Sequence, residues 1–205
     1  EQEIMMAHIS ARYDALIQLV DTEIGNILGA VEDRGALEDT LVVFWADHGE
    51  SMFEHNRYGH GITLYPQEAN VMAMYYSPRL KHAVWEGRTI HQDIVPTILE
   101  TLNMSVPEDM TGRLLGTRTS EESVIGYLLK PDSFILSASR GSFRMHYDWS
   151  VGSKELYNTS VDPDEADNVY NSQHPTVLEI WGELDLIIDE IDELVDIKGP
   201  TAPNP

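Results

Sequence analysis

Cysteine is absent from the 205 residues, which removes any disulfide framework and any thiolate metal site and leaves the redox compartment open. Bases are scarce: 13 Lys and Arg stand against 35 Asp and Glu, for a formal charge of −22. Lys81, Lys130, Lys154 and Lys198 are the only lysines. A surface so acidic repels bare nucleic acid and anionic membrane and suits a high-salt milieu that screens self-repulsion, which leaves two readings open, a halophilic source and an ordinary acidic protein. No apolar run approaches the ~20 residues of a transmembrane helix, so no membrane segment is expected. The charged start Glu1-Gln2-Glu3 is not a signal peptide, and the chain reads as beginning inside a fold. There is no Gly-x-Ser-x-Gly elbow and no glycine-rich phosphate loop, hence no complete covalent or nucleotide-binding constellation.

What is present is a core-forming chain, 42% hydrophobic, long enough for one domain or one domain with a small appendage. Residues 3–34 place Ile9, Tyr13, Leu16, Ile17, Val20, Ile24, Ile27, Leu28 and Val31 at three-and-four spacing, which predicts one long amphipathic helix ended by Gly35. The run Thr40 to Ala46 has the nearly continuous apolar character of a strand buried on both faces, and a helix feeding such a strand is half of a parallel crossover unit. Residues 47–63 are polar and glycine-dotted. A helical turn near Leu64 to Glu68 leads to a second buried strand, Val71 to Tyr76, stopped at Ser77-Pro78. Thr89 to Leu102 is helical in spacing, with two readings of Pro96: first turn of a helix starting near Asp93, or a kink. Beyond residue 118, short β-type runs (Ser123 to Tyr127, Phe134 to Ala138, Ser142 to Tyr147, Glu155 to Tyr157) predict an antiparallel sheet, followed by a helix from about Pro175 to Val195. The division expected is an α/β part over 1–118, a small α+β part over 119–198, and an unstructured tail over 199–205.

The chemistry-bearing residues gather where the first strand stops. In Trp45-Ala46-Asp47-His48-Gly49-Glu50, an apolar run drives into a carboxylate and an imidazole, the way an α/β sheet presents ligands at a strand's carboxyl end. Asp47 and His48 would point to opposite faces of a continuing strand, so both reach one ion only if the strand has ended. A carboxylate and a neutral imidazole suit zinc, manganese or a similar divalent ion better than calcium. The same spacing also reads as a capping Asp beside a half-buried His. His55 and His60, with Arg57 between them, could donate to an oxyanion, and His60 lies between Gly59 and Gly61; the alternative is a loop histidine bonded to a carbonyl. His8, His82, His91, His146 and His174 lack such context and read as structural or surface residues.

Taken together these stretches resemble the sulfatase family of the alkaline-phosphatase superfamily. The resemblance runs in order through Tyr13-Asp14-Ala15, Asp21 and Gly25, then Asp39 to Glu50, Glu54-His55, Gly59 to Tyr65, the strand at Val71, Asp93 to Leu99 and Gly112-Arg113-Leu114-Leu115. It ends with Glu155-Leu156-Tyr157 and Asp162-Pro163-Asp164-Glu165 with Asn168. It implies the second half of an alkaline-phosphatase-like α/β sandwich with a small C-terminal antiparallel sheet plus helix, and a metal-dependent sulfuric ester hydrolase acting on a small or polymeric sulfate ester. Asp47 and His48 would bind the divalent ion (Ca, Mn, Mg or Zn), His60 would contact the ester oxygens and help the leaving group, and His55 would line the pocket. The family's first metal ligands, a pair of Asp, and its Cys or Ser nucleophile have no match here, so the missing N-terminal half of the fold is an implied partner and this chain alone is expected to be inactive. Asn56, Met72 and Asn103 stand where the family often has Gly, Pro and Gly. Two alternatives remain: a phosphonate or phosphodiester hydrolase or phosphoethanolamine-type transferase of the same superfamily, and a non-catalytic truncated paralogue serving binding or assembly.

Overall fold

The computed structural model describes residues 2–85, 87–131 and 133–184. They form two compact units, one from residues 2–60 with 70–85, the other from residues 61–69 with the described residues from 87 to 184.

The first unit opens with helix α1, Gln2–Asp33. Its end is a Schellman cap: Gly35, at φ +67°, donates to Glu32 O at 2.7 Å, and Ala36 donates to Val31 O at 3.1 Å. The helix follows the predicted periodicity, yet every residue from 10 to 23 is exposed, Leu16, Ile17 and Val20 included. After a 3-10 turn at Leu37–Asp39 comes strand β1, Val42–Trp45. Its described neighbour is β4, Ala73–Tyr76, and the pair is antiparallel with Val42 opposite Tyr76 and Trp45 opposite Ala73. The continuous apolar run predicted a strand covered on both faces and half of a parallel crossover. Among the described residues no parallel neighbour is present, and Trp45, Met74 and Tyr76 are exposed. Between these strands lies a small antiparallel hairpin, β2 (Ser51–Met52) and β3 (Tyr58–Gly59).

In the second unit the single-turn helix α2, Pro66–Ala69, buries Glu68. That carboxylate accepts from the Ile62 N–H at 3.0 Å and the Thr63 hydroxyl at 2.8 Å, which satisfies a loop amide that would otherwise be unpaired. Helix α3, Ile94–Thr101, follows a 3-10 turn at His91–Asp93, so Pro96 sits in the first turn, where its missing N–H is tolerated.

Strands β5 (Val124–Lys130), β6 (Ser133–Arg140), β7 (Phe143–Asp148) and β8 (Ser153–Asn158) form an antiparallel meander in sequence order. Period-two alternation sorts this sheet into two unlike faces. One carries Leu136, Ala138, Met145, Tyr147 and Leu156, and packs against α4, residues 175–184, through Val177, Ile180 and Leu184. The other carries Ser137, Arg144, His146, Glu155 and Tyr157, a polar set aligned by register: Ser137 opposite His146, His146 opposite Glu155, Arg144 opposite Tyr157. The remainder of the helix expected to reach Val195, and the tail from 199, lie outside the described residues. Among the described residues no helix is long and apolar enough to cross a membrane.

Candidate active site

Strand β1 ends at Trp45, two residues before the chain bends at Asp47, although Ala46 still donates to Met72 O at 3.3 Å. The early ending brings two adjacent side chains together. His48 N–H donates to Asp47 Oδ1 at 3.0 Å, and His48 Nε2 lies 3.7 Å from Asp47 Oδ2. His48 Nδ1 is 2.9 Å from Gly49 O. A carbonyl can only accept, so Nδ1 donates in this contact and Nε2 is the ring nitrogen on the side of the Asp47 carboxylate.

That geometry bears on the implied metal. Two ligands each about 2.1 Å from one ion lie roughly 3 to 3.5 Å apart, near the separation of Nε2 and Oδ2, and a neutral imidazole beside a carboxylate is a proper donor set for a divalent ion. The two donors fit such a group as part of its shell. Among the described residues no cluster of three or more His, Cys, Asp or Glu is arranged to hold an ion.

The hairpin brings in the next two residues. Ser51 pairs with Gly59 and Met52 with Tyr58, so Glu50 and His60 face each other at the first position beyond the ladder. Glu50 Oε2 lies 2.9 Å from His60 Nδ1. The His60 ring also stacks on that of His48, with centroids 4.4 Å apart and planes inclined by 28°. Asp47, His48, Glu50 and His60 thus form one cluster, with the Glu50 side chain 22% and the His60 side chain 55% exposed. His55 lies at the closed end of the hairpin, in the 3-10 turn Glu54–Asn56, where His55 and Asn56, like Phe53 just before the turn, take positive φ (49°, 57° and 84°). Met52 N–H donates to Glu54 Oε2 at 2.6 Å and the Phe53 and Tyr58 rings stack at 5.0 Å, which holds this turn in its left-handed backbone.

The model of the family described as Sulfatase matches residues 2–104, about half of the chain and all of the cluster just described. The chain belongs to the sulfatase family. Arylsulfatase K of Xenopus laevis is 26% identical over 92% of this chain and 38% of its own length. Among solved structures, a protein in complex with its substrate D-glucosamine-2-N,6-O-disulfate superposes with a TM-score of 0.65 at 18% identity, covering 92% of this chain and 41% of the other. The phosphonate monoester hydrolase of Silicibacter pomeroyi does so with a TM-score of 0.63 at 22% identity, covering 85% and 38%. The fold is therefore the alkaline-phosphatase-like α/β type with a small antiparallel sheet plus helix, and the chain spans about a third of the length of the curated relatives it matches and about two fifths of the solved structures.

The sulfatase-family motifs outside the cluster have structural work in the second unit. Asp93, 3% exposed, accepts from Arg118 Nε and Nη2 at 2.8 and 2.7 Å and from the amides of Arg113 (2.8 Å) and Ile90 (3.1 Å). Burial pushes its carboxyl upward, but the Arg118 guanidinium and the two amides outweigh this and hold it below the usual carboxylate range. On the polar face of the meander, Tyr65 donates to Glu155 Oε2 at 2.7 Å, Tyr157 reaches the same oxygen at 3.1 Å, and Glu165 takes His146 Nε2 at 2.7 Å and Arg144 Nη1 at 3.1 Å. Burial, and then the Glu155 carboxylate, push Tyr65 up to about 12; the same causes raise Tyr157. Asn168 Oδ1 accepts from Leu156 and Tyr170 N–H, both at 3.0 Å. His146, which the sequence leaves without context, is a buried member of this network because β7 register sets it beside Glu155 and Ser137.

Proposed function

We infer that this chain is the metal- and ester-binding C-terminal part of a sulfatase, acting on small or polymeric sulfate monoesters. The observation that carries the reading is the convergence of Asp47, His48 and His60 on one spot, produced by the early end of β1 and the register of the hairpin. Asp47 and His48 would hold the divalent ion. Such an ion, when bound, screens the charge of a tetrahedral ester and steadies the nucleophile. His60, with Nε2 turned away from Glu50, offers its second nitrogen to the ester oxygens, and the flanking Gly59 and Gly61 keep the approach to the ring clear of side chains. His55, at the hairpin tip, would line the wider pocket.

The remaining ligands and the nucleophile lie outside these residues, and the exposed apolar stripe of α1 together with Trp45, Met74 and Tyr76 supports a covering layer supplied by the missing N-terminal half of the fold. The decisive experiment uses the catalytically complete protein: Asp47→Ala should abolish metal-dependent hydrolysis of an aryl sulfate, and an unchanged rate removes the metal assignment. These residues alone should not turn over, and activity from them refutes the placement of the nucleophile elsewhere.

The structural likeness to a phosphonate monoester hydrolase favours a second reading within the superfamily. A higher kcat/KM on an aryl phosphonate than on the matching aryl sulfate selects it. Metal-independent inactivity on both ester classes in the complete protein selects the non-catalytic paralogue.

A further inference from the structure

We propose that Glu50 is the positioning residue of His60, fixing which ring nitrogen meets the substrate. The proposal rests on the reading of His60 as the group that contacts the ester. The hairpin register sets the two residues opposite one another, and Nδ1 to Oε2 is 2.9 Å. A carboxylate oxygen accepts, so Nδ1 is the donor in this contact and Nε2 is the ring nitrogen left to face the substrate. That is the reverse of the tautomer that free histidine prefers in water.

The ring plane has its own restraint. His48 stacks on His60 at 4.4 Å, so the imidazole is held at one edge by a hydrogen bond and on one face by an aromatic contact. Gly59 and Gly61 take φ of 101° and 66°, backbone that carries His60 across the end of the ladder and that a bulkier residue would adopt only with strain. A histidine on a partly open loop otherwise loses rate to rotamer and tautomer averaging; here both are narrowed before substrate arrives. Glu50 itself is 22% exposed and lies behind the ring relative to Nε2, so it acts through His60 rather than on the ester.

Histidine-15N labelling and a long-range proton–nitrogen correlation spectrum, recorded about two pH units above the ordinary imidazole value of about 6.5, read the tautomer directly. His60 is expected as Nδ1–H in the wild-type chain and as Nε2–H in Glu50→Ala, with the His146 signals unmoved. If alanine disrupts the hairpin, Glu50→Gln keeps the shape but can offer Nδ1 either a donor or an acceptor, and is expected to show both tautomers. Wild-type His60 in the Nε2–H form, or a tautomer indifferent to both substitutions, overturns the proposal. In the catalytically complete protein Glu50→Ala should lower kcat by about 10- to 100-fold, as loss of an orienting partner does elsewhere, with KM changed less than about twofold. A tautomer that follows Glu50 while kcat ignores His60→Ala overturns instead the reading of His60 as the ester-contacting group.

Discussion

Arg118 grips Asp93 through two parallel N–H···O bonds, 2.8 Å from Nε and 2.7 Å from Nη2, with both side chains nearly enclosed. The carboxylate fills its remaining acceptor sites with the amides that lead into α3 and that follow Gly112. Removing the cation while leaving the buried anion is the damaging change. Arg118→Ala should cost about 3–5 kcal/mol in a urea melt, whereas loss of an exposed pair such as Arg79 with Asp39 should cost no more than about 1 kcal/mol.

The same site gives a pH dependence with a defined sign. Asp93 titrates lower when folded than when unfolded, so its contribution is complete above the unfolded value of about 3.9 and is lost as pH falls through the lower folded value. Wild type should therefore lose stability on acidification below about pH 4 more steeply than Asp93→Asn, read as the difference between urea midpoints at neutral and acid pH.

Tyr65 behaves in the opposite sense. Its hydroxyl is pushed from 10.0 up to about 12 by burial and by Glu155. Stability from the protonated phenol is complete below pH 10 and is lost as pH rises toward 12. Ultraviolet titration should show the Tyr65 share of phenolate absorbance appearing late, and Tyr65→Phe should remove that late step while costing about 0.5–1.5 kcal/mol at neutral pH.

Gly112 marks a close approach that admits no side chain. A Cβ built there would lie 1.7 Å from Gln92 O and 2.4 Å from Gln92 C, backbone atoms that cannot step aside. Gly112→Ala should cost about 3 kcal/mol or more, at the severe end of overpacking substitutions, and it should loosen the Arg113 amide from Asp93, measurable as faster hydrogen exchange at Arg113.

The net charge of −22 makes the folded state self-repelling, and salt screens that repulsion with a Debye length of about 3 Å at 1 M. Melts in low and molar salt should show a large rise in midpoint with salt if the acidity is an adaptation to brine. A midpoint that does not move would class it as an ordinary acidic protein.

Local pattern alone was enough to read α1 with its Gly35 cap, the stop of β1 at the Asp47–His48 pair, the first-turn option for Pro96 and the four strands of the meander. Each is written in three-to-four or two-residue periodicity, or in the fixed φ of proline and the free φ of glycine, and those operate over a few neighbours. The ordered motifs carried the family as well. Tertiary structure decided the pairings between distant residues. Glu50 meets His60 only because Ser51 pairs with Gly59, and a slip of one residue would turn the carboxylate to the other face. His146 is a buried network member because β7 sets it directly opposite Glu155 and it receives Glu165 from the acidic loop. Arg118 belongs to Asp93 across 25 positions of chain. Composition counts 35 acids but does not say that Glu68, Asp93 and Glu165 are the buried ones, because a buried carboxylate's partner is chosen by strand register and by where remote segments dock rather than by sequence distance.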